Sequence, residues 1–255
     1  EPVRGRRTIL VDKPERTQST RLLSRALQAR VTQFSATYDV PLKAVFLAAH
    51  CLALRTVTGL DDVTTGVIGH GRPGRGDAES TAGLFLNTLP MRLDSSALTW
   101  VDAVRQVALR ERESYPHRRY PLRSMLNDLA SGDRTSARGA TAFDTAFNFV
   151  NYHVFGQLID LDGVEFLGLD VREETNFSAL VTALTDPRSG RMSIRVDGDE
   201  TISDQQCESL AAACIRMLNC IVDQPAAVVD TGTSRAIAGD VAQLIDDQAT
   251  RTPDA

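Results

Sequence analysis

Apolar residues along this chain follow two periods, one helical and one of strands. Across residues 19–38, Leu22, Leu23, Ala26, Leu27, Ala29, Val31 and Phe34 recur at helical spacing. The next run, VPLKAVFLAAHCLALRTVTG, predicts a helix that starts after Pro41 and stops at Gly59. Its apolar residues cover most of the circumference, which places this helix in the core. After Asp61 and Asp62 the β-branched run VTTGVIGHG reads as a buried strand, and LFLNTLPMRL reads as a second one. The Gly-rich, charged stretch GRPGRGDAES between them is a loop. SALTWVDAVRQVALRERESY is an amphipathic helix with Ser96 or Thr99 as cap, and Trp100, Val101, Val104, Val107 and Ala108 form its apolar face. PLRSMLNDLA is a shorter helix beginning at Pro121, followed by the polar loop SGDRTSARGA.

The second half is dominated by strands. FDTAFNFVNYHVF, GVEFLGLDV, SALVTALTD and RMSIRVDG all read as extended, and DPRSG joins the last two as a hairpin turn. RTILVDKPE, near the start, is a further short strand. A last long helix runs from Asp204 to about Val222 behind a Ser203 cap. Past Pro225 the composition turns to that of a linker, and DVAQLIDDQAT forms a short terminal helix. This order predicts an α/β (α+β) fold with a mixed β-sheet covered by helices on one side. The one boundary it supports divides residues 1–224 from residues 225–255.

Composition narrows the function classes. A chain of 255 residues can bury a sizeable core. Its net charge of -5 excludes general binding of nucleic acid or of an anionic membrane, which needs a basic surface. Arg4, Arg6 and Arg7 read as a solvated end segment. No apolar run reaches bilayer length and no signal-peptide pattern opens the chain. Cys51, Cys207, Cys214 and Cys220 lack metal-ligand spacing and read as small apolar residues in a reducing cytoplasm. The chain starts at Glu1 without an initiator Met, which reads as a piece of something longer.

Candidate chemistry is sparse. The chain holds no GxSxG, GxxxxGK[ST] or HExxH string. GHGRPGRG is Gly-rich, but it is not joined to a following helix and a later acid as in a dinucleotide-binding loop, and it reads as a surface loop. Of the four histidines, His50 falls inside the buried helix, His70 ends a strand, His117 lies between two helices, and His153 ends the aromatic strand. None stands beside an orienting acid. From the residues alone this is a soluble α/β domain without an evident active site.

Several stretches, in order, resemble condensation domains of nonribosomal peptide synthetases, within the chloramphenicol-acetyltransferase-like acyltransferases. GLFLNTLPMR resembles the motif G-x-F-x-N-T-L-P-x-R, with Gly83, Phe85, Asn87, Thr88, Leu89, Pro90 and Arg92 in place. TGVIGHGRP upstream is similar to the strand and loop preceding that motif. PHRRYPL resembles the segment H-Q-D-x-P-F-E: His117 and Pro121 match, Arg119 stands where an acid is usual, and Arg123 replaces the Glu. AFDTAFNFVNYHV is similar to the aromatic strand that follows, through Phe143, Phe147 and Asn148. LIDDQATRTPDA resembles the first residues of an adenylation domain. The family's H-H-x-x-x-D-G motif belongs to an N-terminal lobe and does not occur in this chain.

The resemblance implies the C-terminal lobe of such a domain, with no catalytic residue of its own and no bound cofactor. Its substrates would ride on the 4'-phosphopantetheine arms of carrier proteins and meet in a tunnel between lobes. Its partners would be the N-terminal lobe, peptidyl carrier proteins and an adjacent adenylation domain, with neither nucleic acid nor membrane. Arg92 would pair with the Asp of the absent motif and bridge the lobes, and would be an unpaired cation without it. Asn87 would hydrogen-bond backbone near the tunnel floor. Asn148 and Ser178 line the tunnel or are structural, and the hairpin around Pro187 would reach toward the other lobe. An isolated lobe would expose sheet edges and dimerise. The alternative is a noncatalytic scaffold that docks carrier and adenylation domains.

Overall fold

The innermost helix is the one with the most continuous apolar run. The computed structural model describes residues 17–72, 81–130, 143–151 and 177–229. Within them the chain forms β1 (Gln18–Leu22), α1 (Arg25–Thr37), α2 (Leu42–Thr58), β2 (Asp62–His70), β3 (Leu86–Asp94), α3 (Trp100–Ser114), a short 3-10 helix (Tyr115–His117), α4 (Leu122–Ala130), β4 (Thr145–Asn151), β5 (Ala179–Thr185), β6 (Met192–Gly198) and α5 (Asp204–Asp223). Every residue of α2 from Ala44 to Val57 is buried. Gly59 ends the helix at φ 71°, a left-handed angle that glycine adopts without a Cβ penalty, and its N–H reaches the Arg55 carbonyl at 2.8 Å. No single helix among the described residues is long and apolar enough to cross a membrane.

Six strands form one mixed sheet in the order β1-β6-β5-β4-β2-β3. β4 runs parallel to both β2 and β5, and the remaining neighbours are antiparallel. Side chains alternate between two faces of this sheet. Val63, Thr65 and Val67 of β2, Met91 and Leu93 of β3, Phe147 of β4, and Ile194 and Val196 of β6 belong to one face and are buried with α1, α2, α3 and α5 in a common core. The opposite, outer face carries Asp62, Thr64, Thr88, Pro90, Arg92, Asn148, Thr182, Arg195 and Asp197. The predicted fold class, a mixed sheet with helices on one side, is the architecture found.

Helix ends follow local chemistry. Thr99, one of the two candidate caps, accepts from the Asp102 N–H and begins α3. Ser203 and Gln206 form a reciprocal capping box at the start of α5. The β5–β6 hairpin closes through a turn in which Gly190 takes φ 63° and donates to the Asp186 carbonyl. The turn of the hairpin around Pro187 is thus tied to α1, since Gln28 Nε2 donates to the Gly190 carbonyl at 2.8 Å.

Two further expectations change. The helix expected from residue 19 begins only at Arg25, because Gln18–Leu22 pairs antiparallel with β6 and Ser24 then caps α1. Helical spacing of Leu22 and Leu23 was outweighed there by a free sheet edge. Residues 225–229, expected to start a linker, are also part of the fold. Trp100 N–H donates to the Ala227 carbonyl, Val101 N–H to Pro225, and Val229 N–H to Leu98, leaving Val229 in the core. The predicted elements in residues 7–15, 163–171 and 240–250, and the loop of residues 131–140, lie outside the described residues.

Candidate functional site

The strand that carries the most specific motif is an edge of the sheet. Among the described residues β3 pairs with β2 alone, so Pro90, which has no N–H to donate, sits on an edge strand opposite Gly66. Gly66 is required by the crossing above it: an added Cβ would stand 2.3 Å from Phe143 Cε2 and 2.6 Å from the Thr88 methyl. Gly83 likewise leaves room for Phe85, whose ring would lie 3.1 Å from a Cβ there. The Arg72 guanidinium covers the Phe85 ring at 4.5 Å, and the Phe85 carbonyl accepts from Gly71 N–H at 2.7 Å.

Asn87 latches the segment after α3 onto this strand. Its Nδ2 donates to the carbonyls of Arg118 at 3.1 Å and Tyr120 at 2.7 Å. Arg119 Nε closes the same junction by donating to the Gly71 carbonyl at 2.8 Å. Asn87 thus bonds backbone as expected, but it stands across Gly69, on the helix-covered side. An odd offset of five residues from Arg92 puts the two on opposite faces of a period-two strand. Asn87 serves the segment behind the sheet, away from the face of Arg92, Asn148 and Ser178.

Arg92 lies on the outer face and is paired within this chain. Its Nε donates to Asp62 Oδ1 at 2.8 Å and Oδ2 at 2.9 Å. Arg92 stands opposite Thr64, and Asp62 is the diagonal neighbour on the same face. The unpaired cation expected of Arg92 is therefore not found; the cross-strand Asp62 carboxylate is its partner. The Arg92 hydrogen bond holds the Asp62 carboxyl below its usual range. Both side chains are largely exposed, 66% for Arg92 and 42% for Asp62, so each can exchange partners.

Asn148 and Ser178 share that face. Asn148 is in register with Thr182, and Thr182 with Arg195. Ser178 precedes β5, its N–H bonded to the Asp144 carbonyl at 2.8 Å and its carbonyl to Asp199 N–H at 3.0 Å. The two residues are separated by four positions, about 13 Å along the strands. Between them and β1 lies a buried polar row: Arg195 Nε donates to Asp197 Oδ2 at 2.8 Å, and Gln18 Nε2 to Asp197 Oδ1 at 2.7 Å. Among the described residues the buried Thr182 hydroxyl has no hydrogen-bond partner.

The histidines divide by burial. His117 is exposed at the end of the 3-10 helix, and its carbonyl accepts from Tyr120 N–H at 2.8 Å. Pro121 then opens α4, its carbonyl accepting from Ser124 and Met125 N–H. His50 is fully buried, with Nε2 2.9 Å from Thr65 Oγ1, and Thr65 passes its own hydrogen to the Thr145 carbonyl at 3.0 Å. Burial pulls the His50 pKa down to about 3, so the ring is neutral, and its contact with Thr65 ties α2 to β2. It is a core histidine, as its helical setting implied. Burial likewise pushes the Cys51 and Cys214 thiols up to about 12, and all four cysteines are free. No group of metal-ligating side chains assembles among the described residues.

Asp62, Thr182, and the Arg195–Asp197 pair escaped the sequence reading. Cross-strand register brings them beside the motif residues, and register has no local signal in the sequence.

The profile described as condensation domain matches residues 5–235. The chain is 40% identical over 114 residues to the AMB antimetabolite synthetase AmbE of Pseudomonas aeruginosa, covering 45% of this chain and 5% of that protein. It is 25% identical over 249 residues to tyrocidine synthase 3 of Brevibacillus parabrevis, covering 89% of this chain and 4% of that one. The chain thus spans a small part of the curated relatives it matches. Among solved structures, it superposes on the condensation domain from the Monacolin K polyketide synthase MokA with a TM-score of 0.71 at 17% identity, covering 85% of this chain and 49% of the other. Profile and fold agree with the motif strand described above: this chain belongs to the condensation domain family.

Proposed function

We propose that this chain is the C-terminal lobe of a condensation domain that joins an acyl or peptidyl donor to an aminoacyl acceptor, both held as thioesters on carrier proteins. The observation that carries this reading is one of extent. A chain whose motif strand is complete from Gly83 to Arg92 overlays 85% of itself on 49% of a condensation domain. In the reaction the acceptor amine attacks the donor thioester carbonyl. A C–N bond forms, the C–S bond breaks, the thiol leaves on the donor carrier's phosphopantetheine arm, and the amine gives up a proton. The H-H-x-x-x-D-G histidine of an N-terminal lobe would orient the amine or take that proton. This lobe would supply the facing wall, and much of the rate would come from holding both thioesters in line.

In this reading the outer face, free of helices among the described residues, meets the N-terminal lobe. Arg92 leaves Asp62 for the carboxylate of that lobe's motif, and Asn148 and Ser178 border the tunnel. Asn87 acts one step back, fixing the segment behind β3. The chain alone is inactive, its exposed edges favour a dimer, and residues after 230 lead toward an adenylation domain. The test is to mix the full chain with a separately expressed N-terminal lobe bearing H-H-x-x-x-D-G, and to follow dipeptidyl transfer between loaded carriers. Transfer with both lobes and none with either alone is the expected result. Binding of carriers without transfer under any pairing would favour the scaffold reading instead.

A further inference from the structure

The two arginines of α1 differ in what answers their charge. Arg30 is met by α5, through Asp223 and through Asn219 at 2.8 Å. Arg25, exposed at the first helical position, makes neither hydrogen bond nor ion pair among the described residues. No acid stands in that first turn, where the positive end of the helix dipole disfavours a cation. Beside it a cleft of about 430 Å³ lies between α1 and the β5–β6 turn and follows α1 from Arg25 to Ala36, about 16 Å of helix. Arg191 borders the same cleft from the turn. Its Nη2 donates at 2.9 Å to the carbonyl of Leu23, two residues before Arg25, and its buried Nε has no partner among the described residues. The uncharged polar side chains around the two arginines are engaged within the chain. Gln28 bridges the Gly190 carbonyl and the Met192 N–H, Thr32 donates to the Gln28 carbonyl, and Ser189 donates to Asp186. Asp186, the acid of the turn, also takes the N–H groups of Arg188 and Ser189.

We propose that this cleft is a binding site for a phosphate group, held by Arg25 and Arg191. Among the described residues two cations and no carboxylate line it, so its charge matches an anion. Both cations are arginines, whose planar forks suit phosphate oxygens, and a phosphate dianion balances two of them where one carboxylate balances a single charge. An anion here also offsets the positive end of the α1 dipole. Ala29 and Ala36, exposed along the cleft, leave room beyond the phosphate for the rest of an esterified molecule.

The test titrates the full chain by calorimetry with inorganic phosphate and, separately, with glycerol phosphate. Saturable binding at one site is expected, and Arg25→Gln weakens it about tenfold through the loss of one charge-assisted partner. Arg25 has no hydrogen bond or ion pair of its own to lose, so this variant keeps the fold. Arg191→Gln weakens binding by a like factor but also loses the tie to Leu23, a loss that thermal unfolding reads separately. Arg30→Gln, whose arginine is engaged by α5, leaves binding unchanged. Glycerol phosphate that binds at least as tightly as inorganic phosphate supports the site as one for an ester, and weaker binding supports it as one for the free ion. The absence of saturable binding overturns the proposal. So does binding that Arg25→Gln leaves unchanged, or acetate that competes as well as phosphate.

Discussion

Arg92 and Asp62 hold each other diagonally across the β2–β3 ladder, with the guanidinium Nε 2.8 Å from Oδ1 on the outer face of the sheet. The arginine that would tie two lobes together thus already has a carboxylate. An exposed pair of this kind adds little to stability and can be traded for another partner.

From this follows a pair of opposite effects. Arg92→Ala weakens association with an N-terminal lobe and abolishes transfer in the mixed assay. Asp62→Ala strengthens association, because Arg92 no longer has to leave a local partner. The melting temperature changes little in either variant. Calorimetric titration of one lobe with the other, beside thermal unfolding of this chain, checks both signs. Weaker binding by Asp62→Ala would remove the partner-exchange idea.

Asn87 makes a different kind of contribution. Asn87→Ala removes two hydrogen bonds to the carbonyls of Arg118 and Tyr120, and the chain loses about 1–3 kcal/mol. Amide exchange of residues 117–121 should quicken well beyond that of β2, and urea unfolding gives the energy. Uniform quickening across the lobe would show that the latch is not local.

His50 sets a pH response. Burial holds its folded pKa at about 3, below the ordinary histidine value of 6.5, so between these values the unfolded chain binds the extra proton. Its contribution is complete above pH of about 6.5 and is lost as pH falls toward 3, on the order of a few kcal/mol at the acid limit. Urea midpoints measured down this range should show a steeper decline for the natural chain than for His50→Phe. Parallel curves would assign the acid sensitivity to other groups.

Gly66→Ala tests the crossing of Phe143 over β2. A Cβ 2.3 Å from Cε2 forces the ring to move, and the expected loss is about 1–3 kcal/mol. Gly69→Ala, where a Cβ meets nothing within 4 Å, is the matched control and should cost far less.

Much of this architecture was legible in residue order. The buried circumference of α2, the stop at Gly59, the Thr99 and Ser203 caps and the turn before Arg191 all depend on residues a few positions apart. The motif strand was readable because its residues are contiguous. The start of α1 was not, because an edge strand competes with a helix only when β6 is present to pair with it. Nor was the fate of Pro225 to Val229, whose carbonyls and amides are taken up by the distant start of α3.

Local chemistry therefore specified the elements, the mixed α/β class and the kinship, since capping, periodicity and motif spacing act within one stretch of chain. Folding in three dimensions settled which side chains meet. Asp62 reaches Arg92 and Thr65 reaches His50 through cross-strand register and helix packing, and Asn87 faces away from Arg92 because strand side chains alternate. Those contacts join residues far apart in the chain, so no short window of sequence contains them.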